Sequence, residues 1–400
     1  MKRKILVLFI AFAFLLAACG TPSSAPASYP QPSYPQPSSP QPSYPQPNSN
    51  TNMTPVPEAI NAPQVEHPQI ASLSMLTETD GWAITDQAVV RTNDGGTTWY
   101  NVSPPNAGVL GNGFGHTFLD SKHGFLVVPD SSDPMNKGTL YHTDDGGLTW
   151  TSSSIPFGQC DLHFLDLMNG WAMVSLGVGA GSNAIAVFQT TDGGTNWTRT
   201  FVDDPNVEGA STSIPLGGLK NGISALNMQT AWIGGVVYSD NTIYVYRTDD
   251  GGHNWAQINL PLPSNLESGG ELGFIDLQFF NSKDAFLGLQ AFGNSPKLLV
   301  FVSHDSGNSW TLTPTGIPNG KTMDFVSATD GFVYNGNQFF ATHDAGQTWM
   351  VETPSVLFGD SFATMDFVNA TTGWVTSYDV NTSLITLYKT TDGGATWTAQ

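Results

Sequence analysis

The chain has 400 residues, a formal net charge of −20, 42 glycines, 27 prolines, 11 tryptophans and only 12% charged residues. So few charges and so many turn formers exclude a bundle of solvent-exposed helices and suit short strands joined by tight turns. The acidic balance also excludes condensation on nucleic acid, which runs on clustered Lys and Arg.

The chain opens with Lys2, Arg3 and Lys4, followed by the apolar run from Ile5 to Ala18. That run is too short to span a bilayer comfortably and has the form of an export signal, residues 1–18. Its removal takes away three cations and makes the mature chain more acidic still. The run ends in Leu16-Ala17-Ala18-Cys19, which resembles the lipobox of bacterial lipoproteins. The resemblance implies cleavage before Cys19, lipid on its thiol, and an extracytoplasmic protein tethered to a bacterial membrane. Cys160 then has no disulfide partner and reads as a buried structural thiol.

Residues 19–66 form a linker behind that anchor. Ser-Tyr-Pro-Gln-Pro starts at Ser28, Ser33 and Ser43. Proline at this density favours extended polyproline II, at ~3.1 Å per residue, and builds no core. The segment reads as a stiff spacer between membrane and folded domain.

From residue 67 to 400 the chain repeats. Ser/Thr-x-Asp-x-Gly-x-(Thr/Ser/Asn)-Trp occurs seven times, first as Thr92-Asn93-Asp94-Gly95-Gly96-Thr97-Thr98-Trp99. Later copies centre on Asp145, Asp192, Asp250, Asp305, Asp344 and Asp392, at spacings of 39 to 58 residues. That is the length of one four-stranded blade. A second signature precedes each box: a strand, a polar turn, then Gly-Trp or a variant, as in Gly81-Trp82, Gly170-Trp171 and Gly373-Trp374. The expected architecture is all-β: a seven-bladed β-propeller of four-stranded antiparallel blades, with no helix after residue 66. The last strand, Trp397 to Gln400, is expected to close its own blade, so first and last blades should not exchange strands.

Each box position has a structural reason. The Asp carboxylate can accept N–H groups of its own turn, the glycines permit positive φ, and the Trp buries a large apolar face between blades. The seven box carboxylates are therefore read as structural. All eleven tryptophans fall on the two repeat signatures, which leaves none for a sugar-stacking platform.

Function is expected at the axis. Eight residues before each second-strand aromatic stand Ser74, Thr117, His163, Ser224, Gln278, Asp324 and Asp366, all polar. One step later stand Met75, Phe118, Phe164, Ala225, Phe279, Phe325 and Phe367, all apolar. Strand alternation puts the two sets on opposite faces. His163, Asp324 and Asp366 are the candidate axial residues. The two carboxylates come from adjacent blades and would share a proton or hold a cation if close together; otherwise the polar set caps backbone groups of neighbouring inner strands. His142, His253, His304 and His343 lie in or beside the boxes, and their spacing makes no metal cluster. No metal or cofactor is expected. Two long connections, about 202–221 and 261–272, carry Asp203, Asp204 and Glu208, then Glu267 and Glu271, and read as acidic loops available to a partner.

The box and Gly-Trp copies, over about residues 68–400, resemble the plant and cyanobacterial photosystem II stability/assembly factor family. The resemblance implies a seven-bladed propeller with a non-catalytic binding or assembly role. The mature chain carries only Arg91, Arg199 and Arg247 with seven lysines, whereas assembly members of that family are associated with a basic patch. The alternative is a glycoside hydrolase acting on a polysaccharide at the axis. A sialidase needs three converging arginines, and these three sit at box-flanking positions. The expectation is a monomer that binds a protein or glycan partner.

Overall fold

The computed structural model describes residues 59–107, 115–179, 181–237, 242–263, 266 and 272–400. The signal segment, Cys19 and most of the Pro-rich linker lie outside these residues, as do Glu267 and Glu271.

Blade 1 shows the repeat. Strand a is Ile70–Met75, b is Gly81–Thr85, c is Val89–Thr92 and d is Trp99–Asn101, each antiparallel to the one before. Six further sheets of the same order span residues 116–155, 160–202, 219–258, 272–312, 322–352 and 362–399. Two blades depart from the four-stranded expectation. Gln64–Val65 pairs outside strand d of blade 1, and Ile317–Pro318 pairs with Lys297 and Leu298 on strand c of blade 5. Folded structure thus starts before residue 67, because the linker's last residues add to an open sheet edge. The helical element among the described residues is a single 3-10 turn, Gly359–Ser361.

Blade-to-blade packing explains the apolar half of the axial alternation. The b-strand aromatic of one blade packs on the a-strand apolar residue of the next, flat in four blades and tilted by 32° where Trp232 meets Phe279. Phe125 stacks on Phe164 at 3.6 Å between ring centroids, Phe286 on Phe325 at 3.6 Å, Phe332 on Phe367 at 3.7 Å and Trp82 on Phe118 at 4.6 Å. Trp171 packs with Ala225, and Trp374 with Met75, in the same way. Five blades place glycine before the aromatic, where it faces the large a-strand side chain of its own blade, and blades 4 and 5 place Ala231 and Ala285 there. A Cβ on Gly373 would lie 2.4 Å from Phe367 Cδ1, and one on Gly331 2.4 Å from Phe325 Cδ1.

Among the described residues, ring closure uses side chains and no exchanged strand. Blade 7 ends with its own strand d, Thr398–Ala399. Across the seam Trp374 Nε1 donates to Gly95 O at 2.8 Å, Lys389 Nζ to Glu78 O at 3.0 Å, and Ile385 N to Gln69 Oε1 at 2.7 Å.

Because the strands alternate in direction, the a–b turn and the c–d hairpin emerge at one end of each blade. The b–c hairpin and the connection to the next blade emerge at the other. At the first end, backbone bonds join hairpin to turn in every blade, from Gly95 N to Thr79 O in blade 1 to Gly393 N to Thr371 O in blade 7. We call this the fastened face and the other the loop face.

The connection from blade 3 to blade 4 is not a free acidic loop. Asp203 and Lys220 are buried and meet at 3.1 Å. Asp203 Oδ1 accepts Ile185 N, Lys220 Nζ donates to Asn183 O and Leu216 O, and Ile214 is sealed in the core between the blades. Asp204 is half-buried and Glu208 remains exposed. Burial pushes the Asp203 carboxyl up and the Lys220 ammonium down, and their mutual attraction works against both shifts.

Candidate functional site

The seven polar a-strand residues each pair in register with the b-strand aromatic, as Asp324 does with Phe332 and Asp366 with Trp374. Around the axis they act on the next blade rather than on one another. His163 Nδ1 accepts Ala225 N at 3.0 Å, and Gln278 Oε1 accepts Phe325 N at 2.9 Å. Asp324 Oδ2 accepts Phe367 N at 2.6 Å, and Asp366 Oδ2 accepts Met75 N at 2.5 Å. Thr117 accepts Phe164 N and donates to Leu162 O; Ser224 donates to Leu277 O. At the boundary of blades 1 and 2 the contact comes from Ser72, whose Oγ lies 3.3 Å from His116 Nε2. The acceptor in one blade thus reaches the N–H one residue beyond its own counterpart in the next.

These bonds are the backbone caps expected as the second use of the polar set. His163, Asp324 and Asp366 are buried, and the two carboxylates serve different blade boundaries. What the ring does chemically is satisfy backbone N–H groups that the neighbouring sheet has left without a strand partner, a need every buried donor has. Among the described residues, no group of three or more His, Cys, Asp or Glu could hold a metal ion. A second tier was missed. Asp161 Oδ2 accepts Ile223 N at 2.7 Å, and Asp276 occupies the equivalent position in blade 5. Both stand two residues before the aligned polar residue, so the same period of two would have found them.

The box carboxylates form the second constellation. In every blade the Asp Oδ1 accepts the hydroxyl two residues before it and the N–H four residues after it. Asp344 shows the full set, with Thr342 Oγ1 at 2.9 Å, Thr348 N at 2.8 Å and Thr348 Oγ1 on Oδ2 at 2.6 Å. Asp94, Asp145, Asp192, Asp250, Asp305 and Asp392 repeat the Oδ1 pattern. The N–H and amide of Asn196 hold the Asp192 carboxyl below the usual carboxylate value, and the hydroxyl and N–H of Thr348 do so for Asp344. At Asp145, Asp250 and Asp392 partial burial pulls upward, and the same turn bonds outweigh it.

Side chains beside the boxes strengthen the fastening. His304 meets Asp284 at 2.8 Å and His343 meets Asp330 at 2.7 Å, each joining a hairpin to its own blade's a–b turn. Arg91 and Arg247 lie over Trp82 and Trp232, and Lys389 over Trp374. Arg199 donates to Glu208 O on an outer strand. The arginines are therefore distributed around the rim and do not converge. Cys160 is half-buried rather than fully buried as expected and packs against the core of blades 2 and 3, where desolvation raises its thiol well above the ordinary value and keeps it protonated.

Fold and ring together define a class: a seven-bladed propeller whose axial polar groups join neighbouring blades and whose box carboxylates fasten their own hairpins. No family model matches the chain. It is 32% identical over 273 residues to the photosystem II assembly lipoprotein Ycf48 of Synechococcus sp. (strain CC9902), covering 58% of this chain and 73% of that protein. The chain belongs to the family of Ycf48, the photosystem II assembly factor-like propellers. A solved structure described as YCF48 bound to D1 peptide superposes with a TM-score of 0.51 at 16% identity, covering 83% of this chain and 94% of that one. Two lyases share the fold. An oligogalacturonate lyase from Vibrio parahaemolyticus has a TM-score of 0.54 at 9% identity, covering 82% and 91%. An ulvan lyase has a TM-score of 0.51 at 10% identity, covering 85% and 96%.

Proposed function

We propose that this protein is a non-catalytic binding propeller that engages a protein partner during assembly of a membrane complex. In this reading it works outside the cytoplasm, held to the membrane through lipid on Cys19 and spaced from it by the Pro-rich linker. The observation that carries the proposal is the commitment of the axial groups. Asp324 and Asp366, the carboxylates a hydrolase would need at the axis, each accept a backbone N–H across a blade boundary. A propeller whose axial polar groups are engaged in this way offers its loops and rim to a partner. The assembly lipoprotein at 32% identity and the structure described as holding a D1 peptide favour a protein partner over a glycan.

Affinity capture with the full chain from detergent-solubilised native membranes tests this. Co-purification of a membrane-protein subunit or its assembly intermediate is expected. Release of reducing sugar from a polysaccharide panel, abolished by Asp324→Asn, would overturn the proposal.

A further inference from the structure

Strand c of blade 7, Leu384–Thr390, is covered along its outer edge only in part. Its d strand pairs with Tyr388 and Lys389, and Gln400 N reaches Leu387 O. Among the described residues no strand pairs with Leu384–Thr386 on that side. Blade 5 shows what fills the same place. Aligned on the hydroxyl residue that opens each box, Ser303 and Thr390, the positions matching Leu384 and Ile385 are Lys297 and Leu298. Those two pair with Ile317–Pro318, a short extended piece of chain.

The edge of blade 7 borders a cleft of about 250 Å³ lined by Glu66, His67, Pro68, Ile385, Thr386 and Gln400, among others. Beside it the b–c hairpin presents Tyr378, Val380 at 72% exposure and Leu384 at 53% exposure, and Leu357 is 77% exposed on the connection from blade 6. Large apolar side chains this exposed, next to one another in one blade, mark an interaction surface. The nearby charges are acidic: Glu66 on the cleft, Asp379 on the hairpin and Asp360 on the connection, opposed by Lys321.

The geometry points to this edge as the seat of an extended segment of a partner protein, added as a short strand along Leu384–Leu387. Main-chain bonds would hold it, as in other strand additions. One of them would replace the Gln69 side-chain oxygen that now accepts Ile385 N. Apolar side chains of the segment would rest on Val380 and Leu384, and Lys or Arg between them would face Glu66 and Asp379. An anionic lipid surface does not suit a rim of this charge. The inference rests on the protein-partner reading and gives that partner a place and a chemistry.

The test uses a labelled peptide of alternating Lys and Val, nine residues long, titrated against the full chain at physiological salt. Binding is expected. It should weaken roughly tenfold or more in Val380→Lys/Leu384→Lys, and equally when alternate peptide nitrogens are methylated, since those peptides cannot pair with the edge. Val178→Lys, an exposed tip on blade 3, should leave binding unchanged. Binding that survives the blade 7 change, or that falls as much in Val178→Lys or tolerates methylation, overturns the assignment. The wild type and the double variant are then compared in the membrane capture. A partner held equally by both sinks this site and leaves the assembly role standing, whereas no partner for the wild type sinks the assembly role itself.

Discussion

The fastened face and the loop face are built from the same seven blades, yet they differ in nearly every physical respect. On the fastened face each hairpin is tied to its own blade by a carboxylate, a hydroxyl and a backbone bond, and often by a His–Asp or cation–aromatic contact. On the loop face connection lengths vary, and Val178, Phe292, Leu357, Val380 and Leu384 stand exposed. One exception there is held by charge: the connection from blade 3 to blade 4 is pinned by the Asp203–Lys220 pair, while Ile317–Pro318 holds the connection from blade 5 to blade 6 by strand pairing. A repeated motif can specify a rigid end only where every blade supplies the same short loop. The opposite end is released to vary, and variation is where recognition arises.

The comparison can be broken most severely at its exception. Lys220→Ala leaves Asp203 as an uncompensated buried charge and should cost roughly 3–5 kcal/mol, read as a drop in the urea midpoint. No loss would mean that the buried pair does not pin this connection. Next comes the axis. Asp366→Ala strands Met75 N at the seam of first and last blades and should cost roughly 2–3 kcal/mol, while Asp366→Asn, whose amide oxygen still accepts, should cost distinctly less. Equal losses for the two would show that the charge matters beyond its acceptor role. Gly373→Ala forces a methyl against the Phe367 ring and should cost about 1–3 kcal/mol in thermal unfolding.

Acid should loosen the fastened face. The box carboxylates Asp192 and Asp344 are held below the ordinary value of 3.8, so unfolding takes up protons before the folded hairpins do. Their contribution is complete well above that value and fades as pH falls through their lower folded values. Urea midpoints measured at pH 7, 5 and 3 should fall mainly in the last step, and less so in Asp192→Asn. The smallest effect is a gain. Ala345 stands where five other boxes have glycine and blade 5 has Ser306, and it carries a φ of 61°. Ala345→Gly should relieve that conformation and add about 0.5–1 kcal/mol, whereas a loss would show that its buried methyl outweighs the strain.

Much of the axial arrangement was legible in the residues. Spacing eight before the b-strand aromatic placed all seven polar residues in their observed register, because strand pairing preserves a fixed offset across a short turn. Their partners were not legible. Whether Asp324 faces Asp366 or Phe367 N depends on the stagger between blades, which no local pattern encodes. Asp203 read as surface charge because its cation, Lys220, lies beyond a whole connection. The fifth strands were missed for a similar reason: Gln64–Val65 and Ile317–Pro318 are too short to show alternation, and an exposed edge recruits them.

The sequence by itself determined the number of blades, the box hairpins and the glycine before the b-strand aromatic in five of the blades, since these follow from short-range sterics and hydrogen bonding repeated around the ring. Only the tertiary structure decided which axial groups are already taken, which loop is pinned and which sheet edge stays open. Those outcomes turn on where separate blades come to rest against one another, and that position is set by the packing of the entire ring.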